Sequence, residues 1–415
     1  MRSLIWLVLI FTVAVVSATV LGRNDALVSV FYDQWRLDLS LNLFLLLLLG
    51  AVLLTFAALQ AASGLLSLPG RAREWRLLKR ERAAHAALRE AWRELLAARY
   101  ARAQRAAQRA LELQAEVPEL KDDVGFSVLA QMAAASGQHR LQDRRGRDER
   151  VRQTLALVKE GKLPGAAADG VQLLAAEWAL DDRDAARSLA LLGELPPGVA
   201  RRTQALRLRL QAARLKRQPL MALQTARLLA KHQGFSAEAA RSLLRSLAIE
   251  ALEVGYDLQQ LQQVWQALDA SERADAWVLA RAARRACDLG HPEQGRQWLQ
   301  SAWDQIARLE PDARKELSLA LVACAAGAGT DWLNRVETAL ARHGHEAPLV
   351  AAAGAVFAER QLWGKARRPL EQTAAADDLP ARVRRDALRR LAQLAREQDD
   401  ETTAARHEQR AAQLD

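Results

Sequence analysis

Cysteine and histidine are the residue types in this chain that could bind a metal or attack a substrate. The 415 residues include two cysteines, Cys287 and Cys324, both in alanine-rich stretches with helical spacing. They form no Cys-x-x-Cys pair and no Cys-x-x-Cys-His site for haem attachment, so we expect each to be a small buried apolar side chain. The sequence therefore predicts neither a disulfide framework nor a redox centre, and it fits a reducing compartment.

The seven histidines are scattered, and two of them flank a single glycine. His343-Gly344-His345 follows a helical stretch, and Gly344 is expected to end that helix. A capping loop therefore explains the triplet better than a metal site does. The chain also lacks the glycine-rich nucleotide loops, the nucleophile elbow and the zinc-protease motif. We therefore expect no catalytic residues, no metal, and a protein that is not an enzyme.

The eleven tryptophans could hold a flat cofactor, but most of them lie in helical stretches. Packing within and between helix pairs accounts for most of these side chains in our interpretation. The others, on a concave face, would anchor a peptide or a partner protein. No cofactor is implied by the residues alone, although tryptophan, histidine and tyrosine side chains could hold haem or porphyrin.

The elements that must position these residues are helices, because alanine, leucine, arginine, glutamate and glutamine dominate from residue 71 onward. The net charge is +10, and part of the excess lies in one cluster after the second apolar stretch. Its members are Arg71, Arg73, Arg76, Lys79, Arg80 and Arg82. The cluster contains one aromatic residue, Trp75, so it indicates contact with anionic lipid headgroups and no nucleic acid.

Two charge-free stretches near the N-terminus could cross a membrane. The first, at about residues 4–21, is just long enough to span the hydrocarbon layer, and a cleavable signal peptide is the alternative for it. The second is predicted at about residues 41–66. Because the basic cluster follows it directly, the positive-inside rule predicts a multi-pass membrane protein whose C-terminal domain is cytoplasmic.

The segment between these helices, residues 22–40, is predicted to form a small periplasmic β-hairpin. Two runs rich in β-branched and aromatic residues flank Asp33-Gln34. An isolated hairpin is marginally stable in water, so this one should lean on the membrane surface or on a partner. Trp35 is expected to be an interfacial anchor.

The remaining sequence resembles itself at a period near 34 residues, as tetratricopeptide (TPR) helix pairs do. The residues expected to pack these repeats are Tyr100, Ala103, Ala110, Gly290, Gly354, Trp363 and Ala366. We predict an all-α fold, with a membrane domain over residues 1–70, basic juxtamembrane helices and a first TPR-like repeat over 71–150, and a TPR-like superhelix with a concave groove over 151–415. The charged stretch 142–150 is expected to be a loop or a frayed helix end.

Several of these segments together resemble the HemY family of proteobacterial inner-membrane proteins. They are the two membrane helices, the linker from Trp35 to Leu41, the Leu68-Pro69-Gly70-Arg71 exit, the repeat-bearing region, and the stretches 277–303 and 361–366. The resemblance implies a scaffold or regulator that acts in late protoheme biosynthesis by contacting tetrapyrrole-synthesis enzymes. It does not extend to the flavin-dependent oxidase of the same name, because the chain has no dinucleotide fingerprint.

Two other functions stay open. One is a haem- or porphyrin-binding transfer protein, and the other is a TPR adaptor for envelope assembly. The lipopolysaccharide type of adaptor usually ends in a cysteine-rich metal knuckle, which two lone cysteines do not supply. Membrane lipids and proteins are the expected partners, and the sequence assigns no oligomeric state.

Overall fold

The computed structural model describes residues 26–414 except 164, 233 and 235, together with Ile10, Val13 and Ser17, and side chains are described outside residues 63–74. The first predicted membrane helix, about residues 4–21, lies almost wholly outside the described residues. The chain divides into two compact units, Met1–Arg150 and Val151–Asp415.

The first unit contains the predicted hairpin. Strands β1 (Leu27–Tyr32) and β2 (Trp35–Ser40) pair antiparallel, and Tyr32 faces Trp35 beside the turn. Asp33 has a φ of 50°, which a two-residue hairpin turn requires and aspartate tolerates. The sequence-based prediction of a hairpin in this segment is confirmed.

One long helix, α1 (Leu41–Leu96), follows the hairpin. Ser40 caps it, because the Ser40 hydroxyl accepts a hydrogen bond from the Leu43 amide at 3.4 Å. The stretch Leu41–Ala62 is apolar, 22 residues long and not buried inside the protein, and at about 1.5 Å per residue it can cross a hydrocarbon layer of roughly 30 Å. Among the described residues it is the one helix of membrane-spanning length and composition, whereas the sequence predicted two.

The end of the membrane helix differs from the prediction. We expected it near residue 66, with the chain leaving through Leu68-Pro69-Gly70, but α1 continues without a break through these residues to Leu96. The sequence after residue 70 is rich in alanine, arginine, glutamate and leucine, which favour the helical backbone. The predicted domain boundary at residue 70 therefore falls inside a helix.

The C-terminal half of α1 packs against α2 (Tyr100–Glu116) and α4 (Val124–Arg140), and the short helix α3 (Pro118–Lys121) lies between those two. Alanines form most of this contact. Those that are fully buried include Ala84, Ala91, Ala103, Ala107 and Ala110. Small side chains let the three helices approach closely, which is how an alanine-rich sequence builds a core.

The charged stretch 142–150 was predicted to be a loop or a frayed helix end, and this is wrong for most of it. Gln142 makes the turn with a φ of 62°, and α5 (Arg144–Lys159) begins two residues later. The Asp143 carboxylate accepts a hydrogen bond from the Gly146 amide at 3.0 Å. This cap starts a helix that charge content alone did not indicate.

The second unit is helical throughout its described residues. Its elements are α6 (Gly165–Asp181), α7 (Ala185–Gly193), α8 (Pro197–Ala200), α9 (Thr203–Leu215), α10 (Pro219–Lys231), α11 (Ala237–Val254), α12 (Leu258–Ala267), α13 (Ala270–Arg273), α14 (Ala276–Asp288), α15 (Pro292–Trp303), a 3-10 turn (Ile306–Arg308), α16 (Pro311–Ala323), α17 (Thr330–His343), α18 (Ala347–Glu359), α19 (Trp363–Ala375), α20 (Ala381–Glu397) and α21 (Glu401–Ala412).

These helices stack as consecutive pairs. Helix α14 packs against its partner α15 and also against α16, and α16 in turn packs against α18. Helix α18 contacts its own partner α19, which then contacts α20. Because each pair buries its open face against the next, the stack has the connectivity of an α-α repeat array.

Charged side chains link successive helix pairs. Ion pairs join Arg245 to Asp275, Arg284 to Glu316 and Arg314 to Glu346. Each ion pair connects the first helix of one pair with the first helix of the next pair or with the residue just before it. The first helices α14, α16, α18 and α20 begin at residues 276, 311, 347 and 381, so the structural repeat in this region is 34 to 36 residues, close to the period expected from the sequence.

The two cysteines are joined, which the sequence did not predict. Cys287 in α14 and Cys324 at the end of α16 form a disulfide bond, with their Cα atoms 5.7 Å apart. Gly295 of α15 lies against both sulfurs, since a Cβ atom there would be 2.7 Å from Cys324 Sγ and 3.0 Å from Cys287 Sγ. Stacking of α14 on α16 therefore brings together two residues 37 positions apart.

Candidate binding cleft

An open cleft of about 530 Å³ lies in the second unit, where α12 and α13 face α14 and α15. The side chains that give it its chemistry are Trp265, Arg273, Gln294, Gln297, Trp298 and Ser301. We call it the Trp265–Trp298 cleft. All of these residues belong to one compact unit, so its shape is fixed by the packing of neighbouring repeats.

Two stacked indoles form the apolar wall of this cleft. The Trp265 and Trp298 rings have centroids 4.9 Å apart and planes 27° from parallel. Trp265 is near the end of α12, and Trp298 is in the middle of α15, which starts after a turn at Gly290 with a φ of 86°. Both rings stay partly exposed, so they present flat apolar surface to a ligand.

The rim of the cleft is polar. Gln294 accepts a hydrogen bond from the Gln262 side chain at 2.8 Å and donates one to Gln297 at 2.9 Å. Arg273, at the end of α13, is exposed and is the one charged side chain of the lining within the described part of the chain. The cleft therefore offers amide donors and acceptors beside a single positive charge.

The short helix α13, which carries Arg273, is held in place by an ion pair with α10. Glu272 is 7% exposed and accepts a hydrogen bond from Arg227 Nε of α10 at 2.9 Å. The Asp269 amide donates to the same carboxylate at 3.0 Å. The hydrogen bond with Glu272 raises the pKa of Arg227, and this charge-assisted contact ties the cleft wall to α10.

Two other aromatic residues of the repeats, Trp277 and Phe357, do not line this cleft. The Trp277 ring lies 4.0 Å from the Arg245 guanidinium, and Arg245 also binds Asp275 at 2.7 Å. Phe357 is 4% exposed and belongs to the core. Sequence reasoning assigned most tryptophans to packing and singled out neither Trp265 nor Trp298, although their separation of about one repeat was a usable signal for stacking across a repeat boundary.

The repeat-packing residues predicted in the N-terminal part lie along α2. Tyr100 is its first residue, and a Cβ atom on Gly137 would be 3.1 Å from the Tyr100 carbonyl oxygen. Ala103 and Ala110 are both fully buried. Helices α2 and α4 therefore approach each other closely at Tyr100 and Gly137.

The other predicted packing residues lie in the second unit. Gly354 of α18 approaches α19, where a Cβ atom would be 3.2 Å from Pro369 Cβ. Ala366 is fully buried in α19, and Trp363, the first residue of that helix, is half-buried. Gly290 has a different environment, because it forms the turn between α14 and α15 and has open space around its Cα.

The predicted topogenic residues lie on α1 directly after its apolar part. Arg76, Lys79, Arg80 and Arg82 are exposed, and the side chains of Arg71 and Arg73 lie outside the described residues. Lys79 Nζ is 5.2 Å from the centroid of the Trp75 ring. Arg80 also lies 3.4 Å from the Glu116 carboxylate. The described side chains of the cluster are therefore exposed on the helix segment that follows the apolar span, where they can meet headgroups or solvent.

Titratable side chains form no metal site in the described part of the chain, where no group of three or more His, Cys, Asp or Glu could hold an ion. Gly344 caps α17 between two histidines whose rings are 6.3 Å apart. His343 also lies 3.6 Å from Glu346. The triplet thus ends a helix and contacts a carboxylate.

Fold and cleft together define a class, a helical protein of stacked helix pairs with an N-terminal apolar helix long enough to span a membrane. Residues 27–139 match the family model described as the HemY protein N-terminus, which covers the hairpin, α1, α2, α3 and nearly all of α4. This match supports membership of the chain in the HemY family and bears out the N-terminal part of the resemblance seen in the sequence, while the stretches 277–303 and 361–366 lie outside it. A comparison with curated proteins found no match.

Proposed function

We propose that this protein is an inner-membrane scaffold or regulator that acts in late protoheme biosynthesis by binding other proteins. The HemY family match suggests involvement in haem biosynthesis. The observation that carries the binding role is the Trp265–Trp298 cleft. Tryptophan and arginine are the residue types that most often anchor protein interfaces, and here they stand at the edge of one open cleft.

An extended segment of a partner protein suits this cleft. An apolar or aromatic side chain of the segment would lie on the stacked indoles, and its backbone would bond to Gln294, Gln297 and Ser301. Arg273 would favour a carboxylate nearby. The repeats themselves are proposed to be of the TPR type, which the pairwise stacking and the spacing of 34 to 36 residues between successive first helices support.

A porphyrin is the second candidate ligand, because a flat anionic ring could also lie on the indoles beside Arg273. The lining contains no histidine, cysteine or methionine within the described part of the chain, so it offers no axial ligand for haem iron. The partner segment is therefore better supported. A saturable Soret shift that Trp298→Ala abolishes would favour the porphyrin.

We also propose that the repeats face the cytoplasm, with the chain crossing the inner membrane more than once. The basic cluster that follows the apolar part of α1 supports this orientation. The Cys287–Cys324 disulfide stands against it, because the cytosol keeps thiols reduced. We give more weight to the basic cluster, because it lies close enough to the end of the apolar span to determine the orientation of the helix in the membrane.

Site-specific photocrosslinking in intact membranes tests the scaffold role. A photoreactive residue replaces Gln297, which lines the cleft, or Gln300, which is exposed on the same helix outside the lining. We expect the probe at 297 to capture a late tetrapyrrole-synthesis enzyme, and Trp298→Ala to remove that adduct. Equal capture from both positions, or recovery of envelope-assembly proteins alone, would overturn the proposal.

A further inference from the structure

The hairpin has two chemically different faces. Successive side chains of a strand point to opposite sides, and the register pairs Val28 with Leu39, Val30 with Leu37, and Tyr32 with Trp35. These six residues share one side, which we call the apolar face of the hairpin. Each of them is aliphatic or aromatic, and Tyr32 and Trp35 at the turn are 81% and 79% exposed.

The opposite face carries the polar groups, and these bind one another. The Ser29 hydroxyl donates to the Asp38 carboxylate, and Arg36 Nε donates to the same carboxylate at 3.0 Å. The Arg36 guanidinium also lies 5.6 Å from the centroid of the Phe31 ring. Leu27 and Phe31 also lie on this side, but four of its six residues are polar or charged, whereas the other side has none that is charged, so the hairpin is amphipathic.

Nothing among the described residues covers the tip of the apolar face, and a two-stranded hairpin is marginally stable without support. Its place in the chain indicates what covers it. Ser40 ends β2 and caps α1, and the Leu41 amide donates to the Ala26 carbonyl at 3.0 Å. The base of the hairpin therefore lies at the N-terminal end of the 22-residue apolar span, where headgroups and acyl chains would meet.

We propose that the hairpin lies flat on the bilayer at the N-terminal end of α1, with its apolar face in the headgroup and acyl-chain boundary. Tyr32 and Trp35 are the interfacial anchors, because their rings combine an apolar body with a polar N–H or O–H group. The strands are about 20 Å long, so a hairpin standing upright would hold both rings in water. This inference goes beyond the proposed function and does not rest on it.

Nitroxide accessibility in the full-length chain tests the proposal. Arg36→Cys, Leu37→Cys and Asp38→Cys are made in a chain whose Cys287 and Cys324 are replaced by alanine, then spin-labelled and reconstituted into phosphatidylcholine–phosphatidylglycerol vesicles. We expect the label at 37 to favour collision with oxygen over a water-soluble nickel chelate several-fold more than the labels at 36 and 38. Alternation over the three positions also shows that the strand is retained.

Two results would overturn the proposal. If the label at 37 meets the nickel chelate as often as its neighbours do, the hairpin stands in water. If it is shielded from both reagents, a second copy of the chain covers the face in place of lipid. Trp35→Ser should reduce the oxygen preference at 37, and an unchanged preference would show that this ring is not an anchor.

Discussion

Arg314 and Glu346 form a two-pronged ion pair across a repeat boundary, with Arg314 Nε 3.0 Å from both carboxylate oxygens and Arg314 Nη2 2.6 Å from one of them. Arg314 is 9% exposed. It lies in the first turn of α16, and Glu346 immediately precedes α18. The pair therefore fixes the start of one repeat helix against the start of the next.

Glu346→Gln should lower the free energy of unfolding of the second unit by about 1–3 kcal/mol, because it leaves a nearly buried guanidinium without its charged partner. Glu337→Gln is the matched control, since Glu337 pairs with Lys365 at 2.7 Å but both side chains are well exposed, and such pairs contribute up to about 1 kcal/mol. Urea denaturation followed by circular dichroism measures both. Equal decreases in the free energy of unfolding for the two variants would show that burial of the Arg314–Glu346 pair does not increase its contribution to stability.

The same pair predicts a pH dependence. The hydrogen bond with Arg314 lowers the pKa of Glu346 in the folded protein, so its stabilising contribution is complete above the unfolded pKa of about 4.3 and is lost as pH falls through the folded value. The difference between wild type and Glu346→Gln should therefore be largest near neutral pH and shrink in acid. A difference that grows in acid would contradict this assignment.

Gly295→Ala should destabilise the protein by about 1–3 kcal/mol, because the new Cβ would lie 2.8 Å from the Ala283 carbonyl oxygen and 2.7 Å from Cys324 Sγ. Gly170→Ala is the matched helical control, since nothing lies within 4 Å of its Cβ position. That change should stabilise by about 0.5–1 kcal/mol through helix propensity. The urea midpoint should fall for Gly295→Ala and rise for Gly170→Ala, relative to wild type. Shifts in the same direction for both variants would contradict the close packing of α15.

Thiol trapping in acid-quenched cells tests the side of the membrane. If the repeats are cytoplasmic, denatured protein should react with a polyethylene-glycol maleimide at Cys287 and Cys324 without prior reduction. Cys287→Ala with Cys324→Ala gives the unlabelled control. Labelling that requires dithiothreitol would place the repeats on the oxidising side and overturn the cytoplasmic proposal. Oxidation of the purified protein should in either case raise its stability, by about 2–4 kcal/mol for such a disulfide.

Local patterns were sufficient for the N-terminal elements. Runs of β-branched and aromatic residues around Asp33-Gln34 predicted the hairpin, and a charge-free run predicted the helix that starts at Leu41. Proline and glycine at residues 69 and 70 favour an end to the helix, but α1 continues through them into the helix-forming sequence that follows. Helix formation is cooperative, so strong helix-forming residues on one side can extend a helix through residues that favour a break.

The disulfide and the cleft depend on contacts between repeats. The spacing of residues along the sequence does not show which residues of successive repeats meet. Cys287 and Cys324 meet because α14 packs on α16 and α15 allows it at Gly295. Trp265 and Trp298 stack because α12 and α15 lie together. Composition predicted both tryptophans to lie in helices. Which side chains of a helix remain exposed depends on how closely and at what angle the neighbouring helices pack.

Because α1 is unbroken, it fixes both the distance and the rotation about the helix axis between its apolar span and the segment that packs against α2 and α4. An α-helix turns about 100° per residue, so the azimuth at which Leu41–Ala62 meets lipid determines the azimuth at which Ala84 and Ala91 meet α2 and α4. One inserted residue between these stretches would rotate one face against the other by more than a quarter turn. Seven inserted residues would nearly restore the phase while moving the core about 10 Å further from the bilayer.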